Sequence, residues 1–443
     1  MNKQKFGIAL PIILFSYFLI LMDNSIIFTS TLKIAQDLHM DAVTLSWISN
    51  AYTITFGGFL LLAGRLGDLI GRKKIFLLGL GLFGLSSLAI GLSQSSVQII
   101  IFRAVQGIGS AIIAPTSLAI LMDQYTGKMR SKAISYYGAT AGIGSSVGLL
   151  LGGYLTSTFS WRTGFLINVP FTILLMLFTI KVIQQTNVKR LRIDYLGALL
   201  SVALSILFVY GITEHHIMMI VASLILLLIF IVYQSQINDA LMPLSLFYNK
   251  IRSGAYIARF TFMMGMLSYW FIVPQVMQQI YHFTPLQAGI GFLPLTIVNF
   301  IAALYLPKLM ERIDNGRIMM LGQMILLIGL LVSALLDPTH GYWLAIGLPM
   351  IFVGLGQGWL LAPLTSAGVH DVDQSMAGAA SGVTNTMHQL GGPVGLSIIV
   401  AFTSSLTPIT VYYHAVMGFI VAFMVIGLIA IVWTQRHYDT DKQ

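Results

Sequence analysis

The chain has 443 residues, of which 57% are hydrophobic and only 9% charged, where a soluble domain carries about a quarter. Its mean hydropathy is +0.86. That balance excludes a soluble enzyme, a disordered chain and a nucleic-acid binder despite the formal net charge of +9, and the lack of cysteine excludes disulfides and thiolate chemistry.

A membrane helix needs about 20 mostly apolar residues. Fourteen stretches qualify: 7–31, 45–64, 75–93, 97–121, 131–157, 163–183, 195–213, 217–234, 254–274, 287–307, 318–336, 343–364, 377–404 and 411–433. The first is too long for a cleaved signal peptide and carries Asp23. The apolar runs are continuous, so a β-barrel is excluded. With the N-terminus inside and the spans alternating, 21 of 24 Lys and Arg residues fall on the inner side, Arg259 among them, leaving Lys33 and Arg162 outside and Arg103 within the membrane. Positive loops stay cytoplasmic, which puts both termini there.

In the first span Asp23 is the one acid placed within the hydrocarbon, where ionisable groups are expensive and usually functional. Ser16, Asp23 and Ser30 recur every seven residues and share one helix face, expected to line a cavity. A carboxyl there could exchange protons. Ionised, it would attract a lipophilic cation; protonated, it would not. The plainer alternative is an acid hydrogen-bonded to a neighbouring helix. After the second span, Gly64, Gly67 and Gly71 suit a tight cytoplasmic turn, in which Asp68 can pair with a base or cap a helix and Arg72 supplies charge.

Arg103 is the only base placed inside a span, with Gln106, Gly107 and Ser110 on its face. It needs an acceptor, either Asp23 or backbone carbonyls. In the fifth span Gly144, Gly148 and Gly152, preceded by Gly138 and Gly142, form a ridge on which helices can approach closely. Glu214, with His215 and His216, falls in the outer turn between the seventh and eighth spans; it reads as exposed loop, with a peripheral titrating cluster as the alternative. His388, flanked by Thr384, Asn385 and Gly392, is a candidate second proton carrier or else a hydrogen-bonded structural histidine. Tyr17, Tyr52, Gln106, Tyr137, Trp270, Asn299 and Gln357 are candidates for a cavity wall, since aromatic faces bind flat cations. Trp47 and Trp161 read as interfacial anchors. No phosphate loop, metal-ligand cluster or nucleophile triad is visible. Neither metal nor cofactor is expected, and the energy source should be an ion gradient.

The chain repeats. Gln106-Gly107 followed by Ala114-Pro115 in the fourth span recurs as Gln357-Gly358 followed by Ala362-Pro363 in the twelfth. The fifth and thirteenth spans are both Gly-rich, over 138–153 and 378–395. An offset of eight spans implies two six-span halves with an inserted pair: 1–183 and 236–433 as bundles, 184–235 between them and a tail at 434–443. Parallel repeats of this kind are typical of secondary transporters.

These residues carry a family resemblance that covers essentially the whole chain. The run Gly64 to Lys74 resembles motif A of the major facilitator superfamily. Arg103 to Gly109 resembles its motif B, and Gly144 to Gly153 its motif C, associated with exporters. Leu21-Met22-Asp23, and Trp161-Arg162 followed by Phe165 to Pro170, look like the fourteen-span drug:proton antiporter branch. The resemblance implies that the motif A loop, at Gly64, Asp68, Gly71 and Arg72, latches the halves as a conformational switch. It also implies a role for Arg103 in proton transfer. Motif C usually has prolines where this chain has Ser145 and Leu149, which puts its antiport role in doubt.

The expectation is therefore an all-α membrane protein of 14 transmembrane helices, two six-helix bundles plus an inserted pair, with both termini cytoplasmic. Its expected function is proton-coupled export of hydrophobic, often cationic drugs and dyes across the plasma membrane, as a monomer that is not an enzyme. Asp23 would couple proton to substrate, with Arg103, His388 and Glu214 as further candidates. The alternative is export of a single endogenous metabolite or lipid.

Overall fold

The computed structural model describes residues 6–185, 194–237, 240–373 and 376–441, and every regular element among them is helical. In order these are α1 (Ala9–Leu38), α2 (Ala42–Ile70), α3 (Arg72–Gly91), α4 (Ser96–Gln124), α5 (Gly127–Thr158), α6 (Trp161–Leu166), α7 (Asn168–Val182), α8 (Tyr195–Thr213) and α9 (Ile217–Gln236). There follow α10 (Lys250–Ile280), α11 (Pro285–Ile290), α12 (Leu293–Met310), α13 (Asn315–Leu335), α14 (Leu348–Gly368), α15 (Ala377–Thr403) and α16 (Ile409–Asp441).

The chain is a multi-pass membrane protein. Counting α6 with α7 and α11 with α12, twelve rods among the described residues are long and apolar enough to cross a membrane, not the fourteen expected. The two that differ are α5 and α15, 32 and 27 residues long, which match the others in length but are rich in small and polar residues. The sixth and tenth expected spans are each broken, at Ile167 and at Gly291-Phe292, where the helical hydrogen bonding is interrupted. Local chemistry starts the rods. Asp41 accepts from the Thr44 N–H at 2.8 Å ahead of α2, Asn249 accepts from Ile251 and Arg252 ahead of α10, and Thr284 with Gln287 closes a capping box on α11.

The tight turn expected from Gly64, Gly67 and Gly71 over 64–74 is almost entirely helix. α2 continues through Arg65 to Ile70, and the reversal falls on Gly71 alone, at φ +98°, before α3 begins at Arg72. Only glycine adopts that φ without strain.

Helix pairing repeats. α1 packs on α5 as α10 packs on α15; α2 on α4 as α12 on α14; α3 on α4 as α13 on α14; α3 on α7 as α13 on α16. Glycines set the closest of these approaches. A Cβ on Gly148 would lie 2.4 Å from the Met22 carbonyl, and one on Gly395 2.2 Å from the Met264 carbonyl. Likewise Gly144 faces Phe18 and Gly391 faces Phe260. In this alignment of α1 with α10, Phe28 matches Trp270 and Tyr17 matches Arg259. Phe28 and Trp270 meet, with centroids 6.3 Å apart, so these matched faces turn toward each other across the junction of the two repeats.

α8 lies against α2 and α15, touching both repeats, and α9 packs outside it with most of its apolar surface exposed, the surface lipid would cover.

Call the end where α1 starts and α16 finishes the terminal end, and the opposite one the distal end. The repeats are sealed distally: Asn50 donates to Ser397 at 3.0 Å, Gln278 to the Thr29 carbonyl at 3.3 Å, and the Leu286 N–H to Ser157 Oγ at 3.1 Å. There the Gly153 side of α5 presses on Pro285 of α11. Along the same side of α5, Ser135, Gly138 and Ala139 are exposed at the terminal end. A helix face packed at one end and bare at the other leaves the α5 side of the junction as a cleft open toward the terminal end, while α2 and α15 stay packed there through Leu61 and Gly382.

Candidate functional site

Helix α1 presents two polar faces. Ser16, Asp23 and Ser30 do share a side, but all three are fully buried, and that side points into their own repeat instead of the cleft. Ser30 Oγ lies 2.6 Å from Thr156 Oγ1 on α5. Asp23 meets Arg103 of α4, whose Nη1 donates to Asp23 Oδ2 at 2.9 Å. The same nitrogen donates to Gln106 Oε1 at 2.7 Å, and Arg103 Nε donates to the Ile48 carbonyl at 3.1 Å.

The far oxygen of Asp23 accepts from Gln106 Nε2 at 3.0 Å and from Asn168 Nδ2 at 2.6 Å. Gln106 also donates to Ser87 on α3 at 2.8 Å. The guanidinium lies 4.1 Å from the Tyr52 ring centroid, and Tyr52 in turn donates to Ser110 at 2.9 Å. Five helices, α1, α2, α3, α4 and α7, thus close around one buried ion pair. A carboxylate and a guanidinium at this separation neutralise each other in a low dielectric. Arg103 Nη2 and Asn168 Oδ1 remain buried without a partner, so the network is not fully satisfied.

Sequence reasoning named Asp23 as one of two acceptors for Arg103, and the structure brings them together. It places Tyr52 and Gln106 in this cluster, not on a cavity wall. Ser87 was missed, since a serine in an apolar run carries no signal, and Asn168 appeared only within a motif.

The cleft is lined by the neighbouring face of α1. Tyr17 stacks on Tyr137 of α5, with centroids 4.0 Å apart and planes 11° off parallel, and Tyr137 donates to the Ala114 carbonyl at 2.9 Å. Asn24, seven residues beyond Tyr17, lies on the same side, with Oδ1 buried and unpartnered. From the other repeat comes Arg259, whose charge reaches both Tyr17 and His388. His388 stacks on Phe262, 6.5 Å between centroids, with Nδ1 buried and unpartnered.

Arg259 corrects the inner-loop count. It is the tenth residue of α10, about 14 Å along the axis from the helix start at 1.5 Å per residue, and 8% exposed. Gln357 is buried on α14, Trp270 lies near Phe28, and Asn299 contributes backbone to the close approach of Gly354 and Gly358.

The remaining candidates lie elsewhere. Glu214 caps the end of α8 and is exposed, away from Asp23. Gly64 is exposed on α2 and Gly71 makes the turn; Arg72 pairs with Asp123 at 2.6 Å and donates to the Ala119 carbonyl at 2.8 Å, both on or beside the end of α4. The Asp68 side chain lies outside the described residues. Trp161 is no interfacial anchor: it is 3% exposed, and its N–H donates to Asp37 at 3.0 Å, which also pairs with Arg162. A second buried acid, Asp194, caps α8 and accepts from Gly197 N–H, Tyr233, Gln234 and Leu241 N–H. No cluster of His, Asp or Glu able to hold a metal occurs among the described residues.

A sequence model of the Major Facilitator Superfamily matches residues 13–396. The chain is similar to the cephamycin export protein CmcT of Amycolatopsis lactamdurans, 31% identical over 412 residues that cover 90% of this chain and 85% of that one. It is similar to the puromycin resistance protein pur8 of Streptomyces alboniger, 30% identical over 409 residues that cover 88% and 80%. Among solved structures, the POT family transporter PepTSo superposes with a TM-score of 0.73 over 98% of this chain and 99% of that one, at 14% identity, a likeness of fold alone.

Proposed function

The chain belongs to the Major Facilitator Superfamily, and on that premise we propose that it is a drug exporter driven by proton exchange, with the Asp23–Arg103 pair as its coupling centre. The single observation that carries the coupling is that pair: a fully buried acid held by a fully buried base, at the junction of five helices. Export is supported by the relatives, whose printed functions are antibiotic export and resistance.

The geometry changes the mechanism expected from sequence. Asp23 does not face the cleft, so proton and substrate do not compete for one carboxylate. Protonating Asp23 removes the charge that neutralises Arg103 and leaves the guanidinium with Gln106 Oε1 and the Ile48 carbonyl. The cost of an uncompensated buried charge then favours rearrangement of α1 against α4. Because α1 is one continuous helix, a shift at Asp23 moves Tyr17 and Asn24, and so the cleft wall. Substrate would enter from the terminal end, which we take as cytoplasmic from the distribution of Lys and Arg.

We read α5 and α15 as spans too. That gives fourteen, with bundles over 1–183 and 236–433, the inserted pair 184–235 and the tail 434–443. The turn at Gly71, with Gly64, Asp68 and Arg72, would bias the switch through the end of α4. His388 is a candidate second proton carrier in the cleft, and Glu214 a peripheral one.

The test is dye accumulation in inverted membrane vesicles under an imposed pH gradient, with a panel of dyes of differing charge. Wild type should accumulate dye. Asp23→Asn should lose gradient-driven accumulation while retaining dye binding, and the double variant Asp23→Asn/Arg103→Gln controls for folding. Full gradient-driven activity in Asp23→Asn would remove Asp23 from the coupling. Protection against one compound only would favour the metabolite or lipid exporter.

A further inference from the structure

Among the described residues three arginines are at least nine-tenths buried, and two are matched by the protein. Arg103 has Asp23. Arg252 donates to four backbone carbonyls, those of Ser245, Leu246, His370 and Asp371, and ties loops together near the start of α10. Arg259 is the third. Its Nη1 donates to the Leu361 carbonyl and to Thr365 Oγ1, both at 2.9 Å. Its Nε is buried with no partner, and no hydrogen bond is made by Nη2.

No acid among the described residues forms an ion pair with Arg259, and Tyr17 from α1 and His388 from α15 are the titratable groups near enough for its charge to act on. A guanidinium is always charged, and a charged group inside a membrane without a counter-charge is by default read as part of a functional site. Its unfilled side is specific. Nε–H and Nη2–H lie on one edge of the planar fork, the edge that grips a carboxylate or phosphate through two parallel hydrogen bonds. Leu361 and Thr365, holding Nη1 from α14, fix the plane and leave that edge free.

Tyr17, the counterpart of Arg259 across the junction of the repeats, stacks on Tyr137 and offers an aromatic surface beside the charge. We propose that Arg259 is the recognition point for an anionic group, so that the substrates are hydrophobic acids: an aromatic or aliphatic body against Tyr17 and Tyr137, and a carboxylate or phosphate on the free Nε–Nη2 edge. This rests on the exporter reading and names its substrate class. It reverses the charge expected from sequence, because the one acid in the first span is already spent on Arg103.

The experiment uses fluorescein and rhodamine 6G, which share a xanthene skeleton and are respectively anion and cation. Binding to the purified full-length protein is measured by fluorescence anisotropy, separately from flux in vesicles. Wild type should bind fluorescein more tightly than rhodamine 6G. Arg259→Gln should lose about tenfold or more in fluorescein affinity while leaving rhodamine 6G unchanged, and Arg259→Lys, which keeps charge without the fork, should fall between.

Thermal unfolding separates recognition from structure. Removing an unpaired buried charge should not lower the midpoint of Arg259→Gln, whereas a purely structural arginine would lower it. Tighter binding of rhodamine 6G by wild type, or an unchanged fluorescein affinity in Arg259→Gln, overturns the proposal. If either occurs while gradient-driven flux of the cation persists, export stands and the substrate class falls. If fluorescein binds through Arg259 and no dye is ever transported, the substrate class stands and export falls.

Discussion

At the scale of single residues, seven-residue spacing identifies which side chains share a helix face but not where that face points. Ser16, Asp23 and Ser30 do form one face, and so do Tyr17 and Asn24. One rotational step decides that the acid enters the repeat and the tyrosine meets the cleft. The energetics of the ion pair make this checkable. Removing only one member of a buried pair strands the other, at about 3–5 kcal/mol, whereas removing both is far milder. Asp23→Asn and Arg103→Gln should each lower stability in detergent by an amount of that order, and the double variant should lose much less than their sum. Strict additivity in chemical denaturation would mean that the two side chains are not paired. Arg259, the symmetry counterpart of Tyr17, was hidden in the sequence by its distance from the nearest loop basic residue, Arg252, which is only seven positions.

Whole elements are governed by the small residues between them. Gly148 and Gly152 bring α5 onto the α1 backbone, and Gly391 and Gly395 bring α15 onto α10. A methyl at Gly148 would lie 2.4 Å from the Met22 carbonyl, so Gly148→Ala must push the helices apart, at about 1–3 kcal/mol. Gly138, on the same helix, has nothing within 4 Å of a built Cβ. There Gly138→Ala should be neutral or stabilising by up to about 1 kcal/mol through helix propensity. Thermal unfolding of the two variants side by side tests this, and equal effects would contradict the close packing of α5 on α1. α5 and α15 fall short on apolarity because such glycines stand beside further small and polar residues along both rods. At Gly71 the demand is different. Its φ of +98° makes Gly71→Ala a strained turn between α2 and α3, costing about 1–3 kcal/mol, with loss of transport expected if the turn biases the switch. Wild-type flux in a stable Gly71→Ala protein would remove that role.

For the molecule as a whole, the distal seal and the terminal cleft make a labelling prediction. The chain has no cysteine, so a single introduced thiol reports its own exposure. Ala139→Cys, exposed on α5, should react with a membrane-impermeant maleimide from the cytoplasmic side, and Gly153→Cys, pressed against Pro285, should not react from either side. Protection of Ala139→Cys on adding substrate would report closure of the cleft. Reaction of Gly153→Cys from outside, in the resting protein, would mean that the distal seal is open.

Composition, span length and the repeated Gln-Gly and Gly-rich segments were enough to establish from sequence a multi-pass, all-helical chain with internally repeated packing, because hydrocarbon forces every backbone polar group into local hydrogen bonds and leaves the helix as the unit of reading. That α5 makes a close helix contact was legible from Gly144, Gly148 and Gly152, because only small residues permit it; that the partner is α1 was not. Tertiary structure alone decided what the polar side chains meet. Asp23 met Arg103 and not the cleft, Trp161 met Asp37 and not the interface, and Arg259 met the cleft and not the cytoplasm. Each of these outcomes depends on helix rotation and on partners 80 to 242 positions away, and the period of a single helix carries no information about either.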